Sequence, residues 1–315
     1  RGFCEGRGVT SASVDDWREI PAVPTRAFKH LDLLSASPAE ATFQTSGTTS
    51  DLGLRGRHLI PRVSLYEASL LPCFSAHLMP EGKSLRFISL IPDPEDARGS
   101  SLSYMVGAAA RRFASRTDYV VDGSGVVDHG VLAAALADAQ AAAEAVLMLG
   151  TAFAFMNVME HSDVCLGPLP QGSRIMETGG FKGRGRAVPR DELYEAMSRA
   201  TSVPVERIVN EYGMTELLSQ LYEPVLTGES LGCGHIAPPW LQVRAVDPTT
   251  LRELPEGEAG LLTFFDLANA GSVAHILTED FGAVRDGRVF LEGRAAGAEP
   301  RGCSRAMDEL MAVAR

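Results

Sequence analysis

The feature that most constrains this chain is an alternation of strand-like and helix-like segments running up to about residue 225. FQTSGTTSD (43–51) reads as a short strand running into a polar turn, LRFISLI (85–91) as a buried strand ended by Pro92, and VLML (146–149) and 207–211 as further strands. A shorter strand is predicted at 119–122. Helical periodicity falls between them at 64–78, 102–115, 151–161 and 190–200, and the Ala-rich 131–144 favours helix strongly. Alternation of this kind implies a largely parallel sheet covered by helices. From residue 241 the texture changes to β-rich segments separated by turns: LQVRAVD, GLLTFFDL, AHILTED and GRVFLEG. The expected class is α/β. Its expected organisation is an α/β part over 1–225, a smaller β-rich subdomain over 226–294 and a short tail over 295–315.

Composition narrows the partners. Hydrophobic residues make up 45 % and charged residues 22 % of 315 residues, enough for a sizeable core. The net charge of −11 argues against nucleic acid or anionic lipid, which need a cationic surface. It does not oppose ATP, because phosphate is held locally by backbone N–H groups. Cys4, Cys73, Cys165, Cys233 and Cys303 are odd in number, widely spaced and without a CxxC pair. That favours reduced, intracellular thiols over a disulfide framework or zinc knuckle. The apolar stretch 145–159 is broken by Gly150, Thr151 and Asn157 and falls short of the ~20 residues of a spanning helix. No signal peptide stands out, so a cytoplasmic protein without membrane insertion is expected. The first residue is Arg1 rather than Met, which leaves room for a segment upstream.

Three short motifs could do chemistry. Thr45-Ser46-Gly47-Thr48-Thr49-Ser50 offers hydroxyl donors and a flexible glycine, so its backbone N–H groups can face phosphate oxygens. It lacks the lysine and spacing of a Walker loop, and taken alone it reads equally as a surface turn. Tyr212-Gly213-Met214-Thr215-Glu216 follows a predicted strand, where open α/β sheets bind ligands. Glu216 could hold Mg2+, though by itself it reads as the first-turn acid of a following helix. In Thr278-Glu279-Asp280-Phe281-Gly282 the Asp280 carboxylate could accept from ribose hydroxyls, or simply be a turn residue.

TSGTTS, YGMTE, TxD and Gly293-Arg294 occur together in the order of the adenylate-forming superfamily, which includes acyl-CoA synthetases, luciferases and adenylation domains. Finer text resembles its acyl-protein synthetase branch, the LuxE type of bacterial luminescence. IPAVPTRAFKH, METGGFKGRGR, NEYGMTELLSQ, GHIAPPWLQVRAVDP, FFDLANAGSVAHILTEDFGAV and GRAAGAEPRGCS carry this resemblance over 20–304. It implies an adenylate-forming large-domain fold, with mostly parallel sheets and a smaller β-rich subdomain. It further implies that ATP and Mg2+ activate a fatty acid as acyl-AMP. The acyl group then passes to a cysteine of the synthetase and on to a partner acyl reductase. By the same resemblance the phosphate loop is Thr45, Ser46, Gly47, Thr48 and Thr49, and the adenine shelf is Gly179 and Gly180. Tyr212 and Gly213 border the adenine, Thr215 approaches the α-phosphate, and Glu216 ligates the metal. Asp280 holds the ribose, Arg294 contacts the nucleotide, and Cys303 is the acylated thiol.

An unperturbed thiol is only ~3 % thiolate at pH 7, and neighbouring Arg301 and Arg305 would raise that fraction. A mobile tail would let the sulfur reach the adenylate. Cys233, between two glycines in LGCGH, is the competing thiol. The superfamily's mobile C-terminal domain and its catalytic lysine have no counterpart here, since only 295–315 follow Arg294. Lys182 is the favoured replacement, ahead of Lys29 and Arg184. Of the scattered histidines, none has metal-ligand spacing, and His235 reads as a satisfied core or loop residue sooner than part of an acyl cleft. The alternatives are an acid–CoA or acid–amine ligase, and a nucleotide- or acyl-binding subunit without catalysis.

Overall fold

The computed structural model describes residues 2–35, 38–45, 55–161, 164–179, 188–294 and 301–313. Its strands in chain order are β1 (Val23–Pro24), β2 (Ala41–Gln44), β3 (Arg57–Ile60), β4 (Leu85–Ser89), β5 (Ala114–Tyr119), β6 (Val146–Thr151) and β7 (Arg174–Thr178). They continue as β8 (Ile208–Tyr212), β9 (Leu221–Tyr222), β10 (His235–Ile236), β11 (Leu241–Val246), β12 (Gly260–Asp266), β13 (His275–Arg285) and β14 (Arg288–Arg294). The helices are α1 (Gly2–Gly6), α2 (Val63–Leu78), α3 (Ser101–Phe113), α4 (His129–Ala141), α5 (Ala152–His161), α6 (Arg190–Thr201) and α7 (Arg301–Val313).

The strands form one 12-stranded mixed sheet of order β11-β12-β13-β14-β10-β9-β8-β7-β6-β4-β5, with β1 beside β13 and the β2–β3 hairpin apart. From β5 to β8 every pairing is parallel. From β8 through β9, β10 and β14 to β11 every pairing is antiparallel. The expected α/β class therefore holds, with the helix-covered and β-rich parts joined edge to edge in a single sheet.

Period-two alternation explains the layering. Successive strand residues point to opposite faces. Phe87, Leu147, Leu149, Met176 and Val209 pack under α2 and α3, while Ile88, Val146, Met148, Ile175 and Ile208 pack under α4, α5 and α6. Helix α2 meets its core through Tyr66, Leu70, Cys73, Phe74 and Leu78, the i, i+4 spacing of one helical stripe. Ser100 caps α3 by accepting from Ser103 N, and Asp128 caps α4 by accepting from Val131 N.

Two expectations shift. The strand predicted at 119–122 is β5, which begins at Ala114, where the backbone leaves the helix with ψ 141°. This is the sheet's edge, so its sequence ASRTDY is polar and carries no apolar run; Asp118 pairs with the buried Arg86 at 2.7 Å. The segment expected as a mobile tail contains α7. Ala306 and Leu310 of that helix are buried, and Leu310 packs with Phe3 and Ala27, flanked by Val23, Leu31 and Met307. Arg7 adds an ion pair to Glu309. Among the described residues, no helix is long and apolar enough to cross a membrane.

Leu310→Ala should weaken this docking by about 2–4 kcal/mol. Hydrogen exchange over 2–8 and 301–313 checks it, with both segments exchanging faster while β4, β6, β7 and β8 remain protected.

Candidate active site

The carboxyl end of β8 meets the adjoining pair β13–β14. Tyr212, the last residue of β8, stacks its ring on Phe264 at 5.7 Å. Its hydroxyl donates to Asp280 Oδ2 at 2.7 Å. Burial, then the neighbouring Asp280 carboxylate, push the phenol well above its usual range, so Tyr212 stays protonated as the donor. Arg294 Nε donates to Asp280 Oδ1 at 3.3 Å, and Asp280 and Arg294 are cross-strand partners. Tyr212, Asp280 and Arg294, from three separate motifs, thus meet at one carboxylate. Each carboxylate oxygen has a second lone pair, so capacity remains for a ligand's hydroxyls.

The strand around Asp280 is irregular for a stated reason. Leu261 pairs with Phe281 but Thr263 pairs with Leu277, so β13 carries extra residues opposite β12. Thr278 Oγ1 fills the broken ladder, donating to Leu262 O at 2.8 Å and accepting from Asp280 N at 3.1 Å. Bulges re-aim side chains, and this one turns Asp280 toward Tyr212. Asp280 is thus a strand residue and not the turn residue that Asp-Phe-Gly suggests.

No helix follows YGMTE: 213–220 is turn and irregular backbone, so Glu216 is not a first-turn acid. A Cβ on Gly213 would lie 2.6 Å from Glu211 Oε1. That carboxylate is buried and accepts from Thr178 Oγ1, so glycine is required by close approach. Thr215 and Glu216 are half-buried. Their carbonyls are held from outside the loop, Thr215 O by His58 Nδ1 and Glu216 O by Asn269 Nδ2, each at 2.7 Å. Among the described residues no group of three or more His, Cys, Asp or Glu side chains could hold a metal ion. Mg2+ takes one or two carboxylates with substrate phosphates and waters, so the single Glu216 carboxylate fits it without a cluster.

The remaining sequence candidates divide. Thr45 is paired with Gly56: its N–H donates to Gly56 O at 2.9 Å, and its Oγ1 accepts from Gly56 N at 2.8 Å. Ser46, Gly47, Thr48 and Thr49 lie outside the described residues, as do Gly180, Lys182 and Arg184. Gly179 follows β7 with φ +67° and is exposed, a left-handed position that favours glycine. Cys303 lies in the first turn of α7, and its side chain is outside the described residues. Burial, then Glu223, raise the Cys233 thiol, which disfavours its thiolate.

A buried polar chain beside the site escapes the sequence reading. Glu177 Oε2 accepts from Asn210 Nδ2 at 2.5 Å and from Tyr194 OH at 3.1 Å. Asn210 Oδ1 meets His235 Nε2 at 2.7 Å, and Arg190 joins Tyr194 to Glu223. His235 is thus a buried core residue as anticipated, bonded through Nε2, but its Nδ1 is not satisfied among the described residues. The one available signal is acidic residues inside buried strands, RIMET and IVNEY. Burial raises Glu177 to about 7 against the lowering by Asn210, Tyr194 and Arg190. Burial lowers His235 to about 4.

Solved structures share this architecture. An open conformation of 2-hydroxyisobutyryl-CoA ligase in complex with 2-HIB-AMP and CoA matches with a TM-score of 0.66 at 14 % identity, over 93 % of this chain and 69 % of that one. ATP-bound MatB from Rhodopseudomonas palustris matches with a TM-score of 0.59 at 15 % identity, over 81 % of this chain; the chain spans about half of MatB, 48 %. The fold is therefore the large-domain fold of adenylate-forming enzymes. The family model described as "Acyl-protein synthetase, LuxE" matches residues 1–312. The chain belongs to that family, and with it to the ligases. A long-chain-fatty-acid–luciferin-component ligase of Vibrio harveyi is 25 % identical over 295 residues, 91 % of this chain and 74 % of the relative.

Because folding raises the Glu177 pKa, the native state binds the extra proton between pH 4.5 and about 7. This group therefore costs stability as pH rises through that window. Glu177→Gln should remove the cost, gaining on the order of 2–3 kcal/mol on wild type between pH 5 and pH 8. Denaturant titrations at the two pH values check the sign.

Proposed function

We propose that this chain activates a long-chain fatty acid with ATP as acyl-AMP, then moves the acyl group to Cys303 for delivery to a partner acyl reductase. The observation that carries the reading is the meeting of Tyr212, Arg294 and Asp280 at the strand ends, in a chain of the acyl-protein synthetase family. The relative's name supplies the long-chain acid. ATP and an acyl-AMP are named for the proteins of shared fold.

In the first half-reaction a carboxylate oxygen of the acid attacks the α-phosphorus of ATP, and the bond to the bridging oxygen of pyrophosphate breaks. Asp280 orients the ribose by accepting from its hydroxyls, and Tyr212, held by Asp280 and Phe264, borders the base. Thr215 donates toward the α-phosphate, and Ser46, Gly47, Thr48 and Thr49 wrap the outer phosphates. Mg2+, when bound at Glu216, neutralises charge on the phosphates. Lys182 supplies the positive charge beside the separating groups. In the second half-reaction the Cys303 sulfur attacks the acyl carbon, AMP leaves, and the thiol proton goes to solvent. The carboxylate is consumed once and one thioester forms.

The test is acid-dependent exchange of pyrophosphate into ATP, with intact mass measured after incubation with ATP and a panel of acids. Wild type should exchange and gain one acyl group, with long chains preferred. Asp280→Asn should raise KM for ATP on the order of 10- to 100-fold, the worth of charged hydrogen bonds. Cys303→Ser should keep exchange and lose the denaturation-stable acyl mass. Absence of exchange in wild type sinks the adenylation reading, acyl mass surviving in Cys303→Ser sinks the thiol assignment, and formation of acyl-CoA makes the chain a CoA ligase.

A further inference from the structure

The loop that carries Thr215 and Glu216 has no regular structure of its own, yet buried side chains hold it at four points, three of them on its backbone. His58 Nδ1 donates to Thr215 O and Asn269 Nδ2 donates to Glu216 O, both at 2.7 Å. Asp266 Oδ2 accepts from Leu218 N at 3.1 Å, and its Oδ1 accepts from Ser219 Oγ at 2.7 Å. His58, Asn269 and Asp266 are each 0 % exposed. A carbonyl only accepts, so His58 carries its proton on Nδ1.

His58 differs from the other two in where it comes from. Asp266 and Asn269 belong to the end of β12 and the turn after it. His58 belongs to β3, the return strand of the hairpin whose outgoing strand leads into Thr45. Its neighbour in sequence but one, Gly56, is locked to Thr45 by two hydrogen bonds. The alternation of β3 turns His58 and Ile60 inward, and an apolar residue would suit position 58 for packing alone. The imidazole edge also packs on Phe28 at 5.3 Å, which leaves little freedom to tilt.

We infer that His58 is a positioning residue that fixes the height of Thr215 and Glu216 relative to the β2–β3 hairpin, and thereby sets the rate of the adenylation half-reaction. This rests on the proposed function, in which the hairpin and the β8 loop grip one triphosphate. His58 touches no substrate; it acts through the Thr215 carbonyl. Acyl transfer from a finished acyl-AMP no longer needs the outer phosphates or their metal, so the second half-reaction is indifferent to this link. Asn269 does the same for Glu216 from the opposite side, without involving the hairpin.

The experiment compares His58→Leu, His58→Asn and Asn269→Leu in two assays: acid-dependent pyrophosphate exchange, and acyl transfer from synthetic acyl-AMP to the protein. His58→Leu should lose exchange kcat on the order of 10- to 100-fold, the effect of a small misplacement. Its transfer rate should stay within about twofold, since the second half-reaction bypasses the link. His58→Asn, whose amide nitrogen sits where Nδ1 sat, should recover most of the exchange. Asn269→Leu should repeat the loss with transfer intact, which keeps the test open where His58→Leu folds poorly. Exchange unchanged in a folded His58→Leu, an equal fall in both assays, or no recovery in His58→Asn each overturns the inference. If wild type itself shows no exchange, the adenylation reading is what fails, and the link is judged by hydrogen exchange alone. Faster exchange in both 55–60 and 213–217 of His58→Leu supports the link; an unchanged 213–217 overturns it.

Discussion

Burial of both faces of β4, β6, β7 and β8 is the constraint from which the rest of the molecule follows. Each strand feeds two cores at once, Phe87 against Ile88, Met176 against Ile175, Val209 against Ile208. A strand so enclosed cannot expose a polar side chain along its length, and an unpaired buried one costs several kcal/mol on the scale of ~2–7. Chemistry is therefore displaced to the carboxyl ends, where the chain leaves the sheet and its backbone amides are free of the ladder. Gly179 after β7 and the 213–216 loop after β8 stand at those ends. The antiparallel extension through β9, β10 and β14 then brings Asp280 and Arg294 to the same edge.

The polar groups that do enter the sheet obey the same constraint. Strand alternation sends Glu177 and Asn210 to the α6 face, where Tyr194 meets them, and sends Thr178 and Glu211 to the other, where they meet each other. Neither carboxyl is left to water. The consequence for the site is geometric: the Glu211 carboxylate fills the space beside Gly213, so the chain turns out of β8 there without a side chain. A glycine readable only as part of a motif thus has a packing reason two residues upstream. Asp266 repeats the logic on β12. Burial raises it to about 6 against the lowering by Ser219 and the Ala268 and Leu218 amides, and it anchors the loop's far end.

Much of this was legible in the residues, and the failures share a cause. Strands β4, β6 and β8 and helices α2 to α6 announce themselves because burial writes a period into the sequence. The edge strand β5 does not, because ASRTDY is polar and only half-buried, and its ladder is satisfied on one side only. YGMTE, TxD and Gly-Arg are readable as motifs, and their meeting at Asp280 follows from the β13–β14 pairing. The supports are not readable. His58, Asn269 and Glu177 act through contacts far apart in the chain, His58 and Thr215 being 157 positions apart. A lone histidine in RHLI carries no local sign of the carbonyl it will meet. The docking of helix α7 is not legible locally because its partner, α1, lies at the opposite end of the chain.

The two groups gathered at Asp280 are not held with equal strength, and the difference has a use. Arg294 is 64 % exposed in its pair with Asp280, and an exposed ion pair is worth about 0–1 kcal/mol. Under the proposed function a ribose hydroxyl displaces it at little cost, freeing the guanidinium for a phosphate or for solvent. The Tyr212 contact is different: its ring is stacked on Phe264, its proton is retained by burial, and the Thr278 bulge fixes the carboxylate it serves. Under the proposed function the carboxylate is thus oriented before the nucleotide arrives on one side and exchangeable on the other. Such an arrangement spends little binding energy on reorganisation, because the group that must move is the one that water already reaches.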